Sequence, residues 1–223
     1  MTTTPDLIEL LVANLTPVKR LRPPIVRAAT WLALAALIVA LLATAQGLRP
    51  DIAVQLQQSS FVMSLGGALL TGVMATIAAF MLSLPDRSRV WVLLPAPSLV
   101  FWLSTVGYQC LTEWISVQPG GITLGETARC FATLVLTSLP LSLALLLMLR
   151  YAAPLRPTAV ILTGSLAVAA VTAVALSLFH GGDATVMILM WNLGTAGLFV
   201  CLGSIFGKTM FSWVAPRPDL HTA

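Results

Sequence analysis

Residues 158–179 read TAVILTGSLAVAAVTAVALSLF. This stretch contains no charged side chain and no period-two alternation of polar and apolar residues. Its length fits the roughly 20 residues that an α-helix needs to cross the hydrocarbon core of a bilayer. Because a helix satisfies its backbone hydrogen bonds internally, the stretch predicts a transmembrane helix.

The whole chain has the composition of a membrane protein. It has 223 residues, of which 58% are hydrophobic and only 9% charged, whereas a soluble domain has about 25% charged residues. We therefore predict an all-α, polytopic membrane helical bundle with six transmembrane helices arranged as three hairpins. The predicted spans are 28–46, 61–84, 90–108, 130–149, 158–179 and 184–206. Pro95, Pro97 and Pro140 are expected to kink the third and fourth spans.

The Lys and Arg residues are divided unequally between the two sides of this predicted bundle. One side has only Arg49 and Arg129, and the other has ten of the twelve: Lys19, Arg20, Arg22, Arg27, Arg87, Arg89, Arg150, Arg156, Lys208 and Arg217. Because cytoplasmic loops are enriched in these residues, both termini are predicted to be cytoplasmic. The net charge of +4 then reflects topology rather than direct nucleic-acid binding.

These observations divide the chain into three parts. Residues 1–24 form a cytoplasmic N-terminal tail, residues 25–208 the six-helix transmembrane domain, and residues 209–223 a cytoplasmic C-terminal tail. The N-terminal tail is predicted to contain a short amphipathic helix, because its apolar side chains recur at helical spacing. These side chains are Leu7, Leu10, Leu11 and Leu15.

Nothing else in the tail covers this leucine stripe, which needs a surface to bury it. The surface could be lipid, the protein's own cytoplasmic loops, or a groove on a partner protein. Asp6 and Glu9 are acidic, and basic residues begin only at Lys19, which is the opposite of a cationic face that binds anionic lipid. The charge pattern therefore favours a partner protein.

Several segments resemble the NrsF family, the bacterial negative regulators of sigma F. The resembling segments are DLIELL at 6–11, PVKRLRPP at 17–24, LPDRSR at 84–89, GYQC at 107–110, CF at 130–131, APLRP at 153–157 and WNLG at 191–194. The resemblance implies a six-span anti-sigma factor of the bacterial inner membrane. Such a protein sequesters an extracytoplasmic-function sigma factor and releases it under metal or oxidant stress. The partner-binding residues would then be the four leucines of the stripe.

The predicted outer face contains candidate signal-sensing residues. Cys110 and Cys130 end the third and fourth spans on this side, where a disulfide can form in an oxidising periplasm. They could instead form a permanent structural disulfide or be unrelated thiols. His180 lies in the neighbouring outer turn, so the three residues could bind Cu, Zn or Cd, although a lone His at a helix end is also a common interfacial residue. The NrsF pattern implies a second cysteine in that turn, which here reads FHGGD at 179–183.

Two other functions stay open at this level. A membrane thiol oxidoreductase would need a second cysteine pair, and a small solute or metal permease usually needs an ionisable group near the membrane midplane. Ser165 and His180 are too far apart along one predicted helix to act as nucleophile and base. The sequence therefore favours a regulator that binds a partner over an enzyme.

Overall fold

A computed structural model of the chain describes residues 22–113, 124–149 and 157–179, and six single positions: Thr4, Glu9, Val12, Ala13, Leu198 and Cys201. Within the three ranges, side chains are described for residues 22–105, 132–149 and 158–179. The described residues are helical, with no strand among them, which confirms the predicted all-α class. In chain order the helices are α1 (Pro24–Gln46), α2 (Ile52–Gln55), α3 (Ser59–Leu82), a 3-10 helix (Arg89–Leu93), α4 (Ala96–Glu113), α5 (Leu124–Leu149) and α6 (Pro157–Phe179).

Four of these helices are long and apolar enough to cross a membrane. They correspond to the predicted first, second, fourth and fifth spans, with apolar segments at Pro24–Gln46, Ser59–Leu82, Ala132–Leu149 and Thr158–Phe179. The predicted sixth span lies outside the described residues, apart from Leu198 and Cys201, which are both helical. The count of six spans and the three-hairpin arrangement therefore stay predictions.

The two ends of α1 follow directly from the residues that flank it. Pro23 is extended, with ψ of 143°, and Pro24 occupies the first turn, where a fixed φ suits a helix and no amide is needed. The helix therefore begins four residues earlier than the predicted position 28. At the other end, Gly47 has φ of +77° and ψ of 155°, a conformation open essentially to glycine alone, and its amide donates to the Ala43 carbonyl at 3.1 Å.

The third span differs from its prediction. We expected one kinked helix over residues 90–108, but the chain forms the short 3-10 helix first and starts α4 at Ala96. Pro95 has no amide hydrogen to donate, so the helical hydrogen-bond pattern is interrupted there, although Leu94 before it is in the right-handed helical conformation. Pro97 lies in the first turn of α4, where its missing amide breaks no hydrogen bond. Of the three prolines, Pro140 is the one that lies in the interior of a helix, α5.

The centre of the fold is the contact between α3 and α6. These two helices contact each other more extensively than any other described pair. They are also the most buried of the membrane-length helices: 61% of the apolar segment of each is buried, compared with 22% for α1 and 33% for α5. Small residues permit the close approach: a Cβ added at Gly72 would lie 3.3 Å from Val171 Cγ2 and 3.5 Å from Ala170 Cβ. The first two membrane-length helices, α1 and α3, therefore do not form an isolated hairpin, because α3 packs mainly against α6, which is the fifth predicted span.

The largest apolar cluster joins α1, α3, α5 and α6. Among its fully buried members are Trp31, Phe80, Leu141 and Val160, which come from these four helices in that order. The helix α4 packs through a separate, smaller cluster, in which Trp102 lies with Ala68, Ala170 and Ala173. The helices α1 and α5 thus contact the central pair through the larger cluster, and α4 contacts it through the smaller one.

Candidate functional site

The predicted partner-binding leucines cannot be compared with the structure. Leu7, Leu10, Leu11 and Leu15 lie outside the described residues. The described positions of the tail, Thr4, Glu9, Val12 and Ala13, are helical and exposed. The binding role of the leucine stripe therefore stays a prediction.

The tail joins the transmembrane domain at a buried arginine. Arg27 was counted among the interfacial basic residues, but it is only 6% exposed, because α1 begins before it and carries it into the bundle. Its Nη2 donates a hydrogen bond to the Met148 carbonyl in the last turn of α5. Its guanidinium lies over the Phe80 ring of α3, 5.0 Å from the centroid. Arg27 therefore links three helices one turn after the tail ends.

These contacts stabilise both the last turn of α5 and the buried guanidinium of Arg27. The last carbonyls of a helix have no partner within the helix and carry partial negative charge, so a guanidinium stabilises them. Arg27 Nη1 is also buried, and it has no hydrogen-bond partner among the described residues. The aromatic face of Phe80 compensates for part of the cost of burying this charge.

Two further polar contacts connect α1 with α5. One turn after Arg27, Trp31 Nε1 donates to the Leu141 carbonyl at 3.1 Å, and Leu141 directly follows Pro140. At the opposite end of α1, Thr133 Oγ1 donates to Gln46 Oε1 at 3.1 Å. Nothing in our sequence analysis singled out these residues, since a Trp bonded to a backbone carbonyl leaves no pattern in the sequence.

The loop after α1 is fixed to the bundle by Arg49, at the end opposite Arg27. This side chain is 7% exposed and donates from Nε and Nη2 to the two carboxylate oxygens of Asp51, at 2.7 and 2.6 Å. Its backbone amide donates to the Leu178 carbonyl at 3.1 Å, and its guanidinium lies 5.9 Å from the centroid of the Phe61 ring. The hydrogen bonds from Arg49 lower the pKa of Asp51 to about 2 from the ordinary value of 3.8.

The candidate signal-sensing residues are only partly placed. Cys110 lies in the last turn of α4 and Cys130 in the second turn of α5, so both flank residues 114–123. Their side chains and His180 lie outside the described residues. Among the residues that are described, no group of three His, Cys, Asp or Glu side chains could hold a metal ion. Both the thiol pair and the metal site therefore stay predictions.

Comparison with known proteins gives one match. A family model described as NrsF, negative regulator of sigma F, matches residues 11–213. No curated protein and no solved structure matches the chain. The matched region begins inside the N-terminal tail and includes all four membrane-length helices.

Proposed function

Because the chain belongs to the NrsF family of negative regulators of sigma F, we propose that it is a membrane-bound anti-sigma factor that sequesters an extracytoplasmic-function sigma factor. The family match over residues 11–213 carries this proposal. A regulator with four membrane-length helices can act by holding its partner at the membrane surface, away from RNA polymerase and promoter DNA. The proposed location is the bacterial inner membrane, with six spans and both termini in the cytoplasm.

The distribution of charged residues supports this orientation. The proposed cytoplasmic side has Arg87, which is 46% exposed, and the neighbouring Arg89, which is also exposed. On the proposed outer side, Arg49 is buried and bonded to Asp51. Burial thus removes one exposed cation from each side, Arg49 from the outer side and Arg27 from the cytoplasmic side, and the excess of Lys and Arg that the positive-inside rule describes stays on the cytoplasmic side.

The N-terminal tail is the proposed binding element. Its leucine stripe would enter an apolar groove on a helical domain of the sigma factor and displace contacts that the sigma factor needs for transcription. Fully burying one leucine contributes about 1.5 to 3 kcal/mol, before the cost of ordering the tail is subtracted. Four such leucines give a binding energy that is useful and still reversible.

The proposed release signal is metal or oxidant stress at the outer face. Cys130 and Cys110 lie at helix ends on the side that would face the periplasm, where a thiol can be oxidised to a disulfide or bind a soft metal ion. His180 would supply a further metal ligand. The outer turn after α6 has no cysteine where the NrsF pattern implies one, so Cys110 is the proposed partner of Cys130.

A pull-down of the sigma factor by the full-length membrane protein tests the binding element. Leu11→Asp is expected to weaken retention at least about tenfold, because one buried leucine contact is replaced by a charge that must be desolvated. A chain beginning at Arg22 should lose retention completely. Both variants must show normal membrane abundance.

The neighbouring residue provides a matched control. Val12 is 60% exposed and lies beside Leu11 but off the leucine stripe, so Val12→Asp introduces the same charge at an adjacent position and should retain the sigma factor. Equal recovery by the wild type, Leu11→Asp and the chain beginning at Arg22 would show that the tail is not the binding element. The binding surface would then have to lie on the cytoplasmic loops or the C-terminal tail.

A further inference from the structure

The three hydrogen bonds between α1 and α5 form a distinct set, which we call the α1–α5 bonds. They are Arg27 to the Met148 carbonyl, Trp31 to the Leu141 carbonyl, and Thr133 to Gln46. Each of them joins a side chain on one of the two helices to a group on the other. On α1, the bonds from Arg27 and Trp31 lie one turn apart toward the inner end, and the bond at Gln46 lies at the outer end.

Elsewhere in the bundle, most buried hydroxyl groups form hydrogen bonds within their own helices, and the buried Thr172 Oγ1 on α6 has no partner among the described residues. Thr71 donates to the Gly67 carbonyl and Thr76 to the Gly72 carbonyl, each at 2.7 Å, and both side chains are fully buried. The α3–α6 contact is extensive and depends on the packing of small residues. The α1–α5 contact is smaller, so its alignment depends more strongly on directional bonds.

The α1–α5 bonds connect the two regions that the proposed function requires. The tail continues directly into α1, and Arg27 lies one turn after the start of that helix. Cys130 precedes Thr133 by one helical turn on α5. From Arg27 to Gln46, α1 extends about 28 Å at helical rise, which is most of the thickness of a membrane.

The bond from Trp31 to the Leu141 carbonyl lies where α5 can most easily bend. Pro140 has no amide hydrogen and removes one backbone hydrogen bond from the helix. The residue that accepts from Trp31 is the next one in the chain, Leu141. A change in the bend of α5 at this proline would therefore act directly on α1.

We propose that the α1–α5 bonds fix the position in which α1 presents the tail, and that they convey a displacement of the outer end of α5 to the tail. This proposal rests on the proposed function, in which the tail binds a sigma factor. Loss of one bond lets α1 leave this position, so the tail retains less sigma factor. The bond between Thr133 and Gln46, at the outer end, then affects binding of the sigma factor on the opposite side of the membrane, although Thr133 does not contact the sigma factor.

Trp31→Phe and Thr133→Val test the proposal, because each removes one hydrogen-bond donor. Val has nearly the shape of Thr, whereas Phe keeps one aromatic ring but is smaller than Trp, so the first variant needs a control that makes the same reduction. Trp102→Phe is the matched control for the first, since Trp102 is also buried but lies on α4. Thr137→Val is the control for the second, since Thr137 is buried on the same helix and donates to the Thr133 carbonyl of its own helix. None of the four substitutions is in the tail.

Sigma-dependent transcription without an added inducer is the first readout. Interhelical hydrogen bonds in membranes typically alter an equilibrium about threefold, and the strongest about twentyfold. Each test variant should therefore raise basal transcription about threefold and the double variant about ninefold, while both controls stay at the wild-type level. No rise in the test variants, with a large rise when the tail is deleted, would overturn the proposal and leave the proposed function standing.

A second readout does not depend on the sigma factor. Nitroxide labels at Val12 and Thr158, both exposed, report the distance between the tail and α6 after the native cysteines are replaced by serine. The distance distribution should broaden in Trp31→Phe and Thr133→Val and keep its width in the controls. If tail deletion leaves sigma-dependent transcription unchanged, the proposed function fails. If the width of the distance distribution is unchanged in both test variants, the proposed role of the α1–α5 bonds is overturned.

Discussion

The contact between α3 and α4 offers a sharp test of the packing, because two adjacent glycines in α3 have opposite surroundings. A Cβ added at Gly67 would lie 3.1 Å from the Trp102 Cβ and 3.2 Å from the Trp102 Cα. Carbon atoms in contact are normally about 3.5 to 4.0 Å apart. A Cβ added at Gly66 would meet nothing within 4 Å. Gly67→Ala therefore requires a shift of the α4 backbone, and Gly66→Ala requires no shift.

The expected energies follow from two opposing effects. Replacing glycine by alanine inside a helix stabilises it by about 0.8 to 1 kcal/mol, and both variants gain this contribution. Overpacking at a close contact costs about 1 to 3 kcal/mol, and only Gly67→Ala incurs it. The free energy of unfolding of Gly67→Ala should therefore be about 1 to 3 kcal/mol below that of Gly66→Ala. For a chain of this size the difference in Tm is about 2 to 12 °C.

Thermal unfolding of the purified full-length protein measures this difference. The wild type, Gly66→Ala and Gly67→Ala are compared in the same detergent. Gly66→Ala should raise the Tm above that of the wild type, and Gly67→Ala should fall below Gly66→Ala. An equal increase in Tm for both variants would refute the close approach of α3 to Trp102. The same result would put in doubt the position of α4, which carries Cys110.

Reporter fusions test the orientation: a periplasmic reporter fused at Arg156 is expected to be inactive, and activity there would invert the proposed topology. Cys130→Ser, alone or with Cys110→Ser, is expected to change the dose of cadmium or hydrogen peroxide that induces sigma-dependent transcription, with normal membrane abundance. An unchanged dose response in the double variant would exclude both thiols from the mechanism. The lowered pKa of Asp51, caused first by its hydrogen bonds from Arg49, means that its stabilising contribution is complete above about pH 4 and is lost as the pH falls toward 2. Asp51→Asn should therefore reduce the fall in Tm between about pH 4 and pH 2, and an unchanged fall would contradict this role.

The sequence predicted the helices well where hydrophobicity alone determines them. The predicted spans 61–84 and 158–179 correspond to α3 (Ser59–Leu82) and α6 (Pro157–Phe179) within two residues at each end. Long apolar stretches have only one way to satisfy their backbone in lipid, so their helical state follows from composition. The missing amide of Pro95 interrupts the helical hydrogen bonds before α4, and attention to this proline would have predicted the break.

The arrangement of the helices could not be predicted in the same way. Small residues occur in several of the helices, so their spacing does not show that α3 packs mainly against α6. The burial of Arg27 depends on which helix end lies beside it, and sequence alone does not provide this neighbour. The bond from Trp31 to the Leu141 carbonyl has a backbone acceptor, and every residue has such an acceptor. The candidate binding leucines were recognised from their spacing, but the structure does not describe them.

Among the four membrane-length helices, α1, which continues from the tail, is the least buried by the rest of the protein. Only 22% of the apolar segment of α1 is buried, the smallest share among the four. With 23 residues, α1 is about 34 Å long, slightly more than the roughly 30 Å thickness of a bilayer's hydrocarbon core. A helix of this length adjusts its tilt when the bilayer becomes thinner or thicker. The acyl-chain length of the surrounding lipids therefore affects the height at which the tail stands above the membrane, and retention measured in short-chain lipids is not equivalent to retention in the native membrane.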